Sequence, residues 1–411
     1  MRVSRGRALH QLGLLAGLVS LCGAGAGLVP AAGTTGAQAN AAAERLTTQA
    51  SALGGVFCLP LSCIAVGNLY STTGHSLSGV TTLATSWDGH SWAVQPEARA
   101  VSGILSQIWC SSANFCLAVG TRASYRDYQL LKDISTLSEQ WDGKRWAVVP
   151  TPSPKGTLNE LTGLSCLSAS NCMAIGSSNR VVFTRPTPLV ELWDGRRWAE
   201  GRPPAGALAL SGISCTASGC VVVGQTTVDN QACVEHQQCG SAAWAWGNGT
   251  WRALPSPFVP AGTAANLQAV SCTTTSHCEA VGSDDRGDAQ NFLGVVWDGS
   301  SWRRVPLTSS AKAGILALVS VACRFGTCFG VGSWTEPTQE GGASYAAVEE
   351  LSAGRWGGAT MAFPRLVGST NFLSISCSSH AMCVAVGVDP DTRQAYAARW
   401  DGRSWAVTLP A

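Results

Sequence analysis

The sequence predicts an all-β chain, a seven-bladed β-propeller with four antiparallel strands and one disulfide per blade. Three observations predict it. A unit of about 50 residues recurs seven times between Leu53 and Ala411. Each unit carries two cysteines with four or five residues between them, followed by a Val-Gly or Ile-Gly step. Most units then close on Trp-Asp-Gly-x-x-Trp, a turn signal between two short β-compatible runs.

The chain begins with Arg2, Arg5 and Arg7, an apolar run from Leu12 to Val29, and small residues that include Ala37-Gln38-Ala39. That order is the outline of an export signal, with Val29-Pro30-Ala31 as a competing cleavage site. An uncleaved signal would leave a marginal membrane anchor. Cys22 follows Leu21, where a lipoprotein signal needs a small side chain, so it reads as part of the apolar run. The expected division is a signal peptide over 1–39, a leader over 40–52 and the propeller over 53–411.

The repeats then follow in order. The first has Cys58, Cys63, Gly67 and Trp87 to Trp92; the second Cys110, Cys116, Gly120 and Trp141 to Trp146. The third, the most regular, has Cys166, Cys172, Gly176 and Trp193 to Trp198. The fourth keeps Cys215, Cys220 and Gly224 but ends Trp246-Gly247-Asn248-Gly249-Thr250-Trp251, without the Asp. The fifth has Cys272, Cys278, Gly282 and Trp297 to Trp302. The sixth is the most worn: Cys323, Cys328 and Gly332 remain, and Leu351-Ser352-Ala353-Gly354-Arg355-Trp356 replaces the turn. The seventh has Cys377, Cys383, Gly387 and Trp400 to Trp405.

Within one repeat, Leu161 to Cys166 and Cys172 to Gly176 read as a hairpin across a turn-rich connector. Leu189 to Trp193 and the run from Trp198 form a second hairpin about Asp194-Gly195, whose glycine accepts a positive φ. One such sheet leaves its faces and edges bare, so the units must pack radially. Whether the ring is closed by a shared strand, for example one from Glu44 to Gln49, stays open from the sequence.

The pattern Leu-x-x-Ile-Ser-Cys, Cys-x-Ala-Val-Gly, Trp-Asp-Gly-x-x-Trp resembles the bacterial neuraminidase-repeat propellers and the photosystem assembly-factor type. The resemblance spans Leu53 to Ala411 and implies an Asp-box-like turn between third and fourth strands. Here Trp198 follows Asp194 by four residues, where that family usually has five.

Paired cysteines behind an export signal read as disulfides that pin each first hairpin. Zinc would need two such pairs to converge, and radial blades keep them apart. Cys233 and Cys239 form an extra pair about His236, read as a further disulfide. No cofactor and no metal are expected.

Connectors after the Val-Gly step vary from twelve residues in repeat seven to twenty-one in repeat four, and variable loops on a rigid scaffold carry binding. Candidate binding-face residues there are Tyr125, Tyr128, His236, Asp285 and Asp391. Most tryptophans sit at repeat positions and read as packing; Trp109, Trp244 and Trp334 fall outside them and are candidates for stacking on sugars. Arg286-Gly287-Asp288 reads as a solvated turn.

Charged residues make up 13% of the chain and Lys plus Arg exceed Asp plus Glu by two, which argues against nucleic acid as a partner. Tyr is scarce, no Arg recurs at matching positions, and no Ser-His-Asp or paired-His motif stands out. The expected function is a secreted, monomeric, non-catalytic platform for an unidentified protein or polysaccharide. A glycan-acting hydrolase or lyase in the central funnel and a structural envelope component are the alternatives. Two carboxylates facing each other across the funnel would favour the hydrolase.

Overall fold

The computed structural model describes residues 50–73, 76–97, 101–123, 125–126, 129–130, 134–155, 157–179, 186–226, 240–256, 264–286, 289–308, 314–324, 326–336, 344–357, 371–389 and 393–409. The signal expected over 1–39, residues 40–49 of the leader expected over 40–52, and Cys233–Cys239 lie outside these residues, while Ser51 and Ala52 belong to the first strand.

Seven four-stranded antiparallel sheets follow one another along the chain. In blade three the strands are Leu158–Ser168, Asn171–Asn179, Thr187–Trp193 and Trp198–Gly201, a few residues longer than the sequence pattern marks. The first strand of each blade packs against the first strands of both neighbours, and blade seven meets blade one, so the first strands form the inner ring. They are Ser51–Cys58, Gly103–Ser112, Leu158–Ser168, Ala207–Thr216, Ala264–Thr274, Ile315–Arg324 and Asn371–Ser379. Among the described residues no helix is long and apolar enough to cross a membrane.

Register explains the recurring cysteines and tryptophans together. In blade three Cys166 pairs with Cys172, Cys172 with Trp193, and Trp193 with Trp198, a straight row across all four strands. Directly opposed residues in a sheet share a face, so disulfide and indoles line up on one side. All seven bridges form: Cys58–Cys63, Cys110–Cys116, Cys166–Cys172, Cys215–Cys220, Cys272–Cys278, Cys323–Cys328 and Cys377–Cys383. Each row faces the preceding blade, and each of the seven hydrophobic cores lies between two adjacent blades. The tryptophans are therefore inter-blade packing, with paired ring centroids 4.9 to 5.9 Å apart in six blades.

The spacing of the cysteines has its own consequence. Where they are six positions apart, the third-strand indole N–H donates to a carbonyl in the first turn: Trp141 to Ala113 (2.9 Å), Trp193 to Ala169 (2.9 Å), Trp297 to Thr275 (3.2 Å) and Trp400 to His380 (3.0 Å). In blade one the separation is five, and the buried Trp87 indole nitrogen has no partner.

The second turns are of two kinds, and the missing Asp decides which. In blade three Asp194 Oδ1 accepts from the backbone N–H groups of Arg196 (2.8 Å) and Arg197 (2.9 Å), and Gly195 takes φ +95°. The same bonds hold at Asp88, Asp142, Asp298 and Asp401, and they keep these carboxyls below the usual carboxylate range. Blades four and six lack the Asp and close on two-residue loops, Asn248-Gly249 and Ala353-Gly354, both residues at positive φ as a type I′ turn requires.

The recurring glycine is explained by a bulge. In every inner strand the ladder skips one residue, between Leu161 and Gly163 in blade three and at the equivalent place in the others. Beside that bulge a Cβ on Gly176 would lie 1.9 Å from the Glu160 carbonyl oxygen, and the equivalent glycines meet the same obstacle. Only glycine lets the two backbones approach this closely.

Among the described residues the ring closes without a shared strand; Glu44 to Gln49 lie outside them. Blade one is built wholly from Ser51 to Val94 and blade seven wholly from Asn371 to Leu409. The seam is held by a core shared between the two blades and by side chains that satisfy strand-edge backbone: Cys58 N–H donates to Ser376 Oγ (2.9 Å), Val56 N–H to Ser374 Oγ (3.3 Å) and Ala395 N–H to Ser51 Oγ (3.0 Å). The serine before the cysteine accepts in the same way at ordinary seams: Cys215 N–H donates to Ser165 Oγ (2.9 Å), Cys272 N–H to Ser214 Oγ (3.0 Å) and Cys323 N–H to Ser271 Oγ (2.9 Å).

Candidate functional site

In every inner strand the bulge residue and the residue before the cysteine are at least partly exposed. The bulge residues are Gly54, Ser106, Thr162, Ser211, Gln268, Val319 and Leu373, and none of them is charged. At the second position serine gives way to Ala322 in blade six and, in blades one and two, to Phe57 and Trp109, which pack on each other at 6.0 Å. Across all seven inner strands the charged residues are Glu160 and Arg324. Glu160 accepts from Ser177 Oγ at 2.9 Å, and burial raises its pKa. A single carboxyl, rather than a facing pair, belongs to the inner ring.

Apolar exposure is uneven around that ring. Of the five exposed large aliphatic residues among the described ones, Ile315 (38%), Val319 (37%) and Leu373 (37%) lie on the inner strands of blades six and seven. Blade one continues the ring with Gly54 and leaves no side chain beside them. Among the bulge positions the apolar side chains Val319 and Leu373 therefore stand next to each other, and the others are glycine, serine, threonine or glutamine.

A carboxyl pair does exist, but away from the channel. Glu97, in the connector after blade one, and Glu139, on the third strand of blade two, converge on Thr82. The Thr82 hydroxyl donates to Glu97 Oε1 at 3.3 Å. Burial, then the charge of Glu139, raises Glu97 to about 7; burial raises Glu139 to about 7 against the Thr82 hydroxyl and the Arg122 charge. One blade on, burial pushes Glu191 up to about 8, with the Thr136 hydroxyl opposing and neither carboxyl oxygen well bonded. Glu139 and Glu191 stand on third strands, two strands out from the channel, and neither they nor Glu97 were singled out in the sequence. The signal was there: a glutamate two positions before the third-strand tryptophan, in a row that the pleat turns inward.

The described candidate binding-face residues are spread over blades two, four, five and six. Trp109 is half-buried on the inner strand of blade two. Trp244 is 4% exposed and packs in the core between blades three and four. Trp334 pairs in register with Tyr345 and stacks on it at 5.7 Å on blade six. Tyr125 belongs to a small extra hairpin, Tyr125–Arg126 with Gln129–Leu130. Asp285 continues the second strand of blade five and pairs with Gln290, while its neighbour Asp284 is buried and bonded to Arg304 at 2.6 Å. Tyr128, His236 and Asp391 lie outside the described residues.

No protein-family model matches the chain, and no curated protein matches it. Solved structures do. The β-propeller domain of the Trilobed protease from Pyrococcus furiosus, described as having an open velcro topology, matches with a TM-score of 0.51 at 10% identity over 88% of this chain and 98% of that one. A Mycobacterium tuberculosis puromycin-hydrolyzing peptidase matches at 0.53 and 11% identity over 90% of this chain and 56% of that one. YCF48 bound to D1 peptide matches at 0.50 and 13% identity over 86% of this chain and 95% of that one. At these identities the likeness establishes the propeller fold.

Proposed function

We propose that this chain is a secreted, non-catalytic binding platform whose partner is a protein segment held at the central channel by an apolar side chain. The observation that carries the reading is the pairing of Val319 and Leu373, exposed on adjacent inner strands of a ring whose bulge positions hold no charge. Exposed apolar groups in a concave, rigid lining are what partner side chains bury against. A lone, hydrogen-bonded Glu160 supplies neither the acid and base pair nor the spacing that glycoside hydrolysis uses. Seven disulfides fit an oxidising compartment, consistent with export after cleavage behind Ala39. YCF48, solved with a peptide, is a propeller of comparable size that accepts one.

The test is selection of a displayed peptide library on the disulfide-bonded protein, followed by rebinding to a Val319→Asp/Leu373→Asp variant. Peptides rich in one apolar anchor should be recovered and should lose at least tenfold in affinity on the variant at unchanged Tm. Recovery of peptides that bind both proteins equally would refute the channel site. Binding of glycans but not peptides on an array would replace the partner class. N-terminal sequencing of exported protein should begin at Asn40.

A further inference from the structure

Two departures from the repeat, 72 residues apart, meet at the seam between blades five and six. The position after the second cysteine is Ile64, Leu117, Met173, Val221, Phe329 or Val384 in six blades, and in blade five it is Glu279. The third-strand tryptophan of the conserved row is replaced in blade six by Leu351, which pairs with Cys328 and Trp356. The smaller side chain leaves a cavity of about 260 Å³, walled by Leu351 and the Cys323–Cys328 disulfide on one side and by Glu279, His277 and Arg303 on the other.

Glu279 forms the floor. It is 5% exposed, and its Oε2 has no hydrogen-bond partner. Its Oε1 lies 3.9 Å from His277 Nε2, and His277 stands at the rim with a largely exposed side chain. Burial raises the Glu279 carboxyl to about 8, and Arg303, exposed on the outer strand in the same cross-sheet row as Glu279 through Val296, opposes that rise with its charge. A buried carboxyl oxygen without a donor is costly and is not retained by packing, since six blades fill this position with an apolar residue. What it lacks is a cationic donor on the floor, and what Arg303 offers at the rim is a site for an anion.

We propose that this notch binds a free α-amino acid, with the ammonium group on Glu279, the carboxylate towards Arg303 and the side chain against Leu351. The site opens beside the disulfides and the second turns, the opposite end from the long connectors, and it does not depend on the channel reading. It is a recognition site: no bond is made or broken in it.

The experiment is a thermal-shift and calorimetric panel of the twenty proteinogenic L-amino acids at 10 mM on the disulfide-bonded protein. At least one is expected to raise Tm, while its N-acetyl derivative and its decarboxylated amine, each lacking one charged group, do not. Glu279→Val should weaken binding by 100-fold or more and Leu351→Trp should abolish it by filling the notch. Arg303→Ala, on an exposed side chain, should cost about tenfold and keeps the test open where a core variant fails to fold. The proposal is overturned by a panel in which no amino acid shifts Tm, by an N-acetyl derivative that binds as well as its parent, or by binding that survives both Glu279→Val and Leu351→Trp.

Discussion

Stability of this ring should fall as the solution becomes more alkaline, and Glu191 is the residue that isolates the cause. It is fully buried on the third strand of blade three, and burial moves its carboxyl from 4.5 to about 8. A carboxyl whose folded pKa is raised is bound to its proton in the native state over a range where the unfolded chain has released it. Its contribution is intact below about pH 4.5 and is lost as pH rises through 8. At about 1.4 kcal/mol per pH unit of separation, the full loss from this one group is on the order of 5 kcal/mol. That is comparable with the whole stability of many domains. The assay is urea unfolding, disulfides intact, at pH 5 and at pH 8.5. Wild type should lose several kcal/mol between the two, and Glu191→Gln, which keeps the shape and removes the ionisation, should lose markedly less. Equal stability at both pH values, or a variant with the wild-type slope, would refute the reasoning.

Other outcomes follow from the packing. Replacing Cys166 and Cys172 together by serine should cost about 2 kcal/mol, the chain-entropy value for so short a loop, measured by denaturant unfolding. Gly176→Ala should cost on the order of 3 kcal/mol because its Cβ would sit 1.9 Å from the Glu160 carbonyl oxygen, whereas Gly79→Ala, whose Cβ meets nothing closer than 3.9 Å, should leave Tm unchanged or slightly higher. Ala353 adopts φ +49°, so Ala353→Asn, at the first position of a type I′ turn, should stabilise by up to about 1 kcal/mol in the same assay.

The blade count, the four strands and the pairing of neighbouring cysteines were legible in the sequence because each is a local, repeated signal. The Asp-Gly turn was legible for the same reason, and so was its loss in repeats four and six. The reason for the recurring glycine was not, because the atom it must avoid is the carbonyl of a different strand, Ala52 against Gly67 or Asn371 against Gly387. Ring closure stayed open because it rests on hydroxyls such as Ser374 and Ser376 reaching across more than three hundred residues. The meeting of Glu279 with the space beside Leu351 is of the same kind: each departure was visible alone, and only the register of two sheets puts them face to face. Trp244 stands two positions before Trp246, the pleat position that Glu139 and Glu191 hold in blades two and three, so alternation counted back from the repeat tryptophan places it inward, a signal that its absence from the repeat pattern hid.

A ring whose every blade is drawn from one unbroken stretch of chain has interchangeable starting points. A strand borrowed from the other terminus would fix where the molecule must be cut; here the junction between blades seven and one uses the same serine-to-backbone bonds as the junctions between blades three and four or four and five. A permuted gene that joins the present ends and opens the chain between blades three and four should therefore rebuild the same molecule. By the same token, gain or loss of one whole repeat is a change the architecture can absorb, which gives such proteins a route to wider or narrower rings by duplication alone.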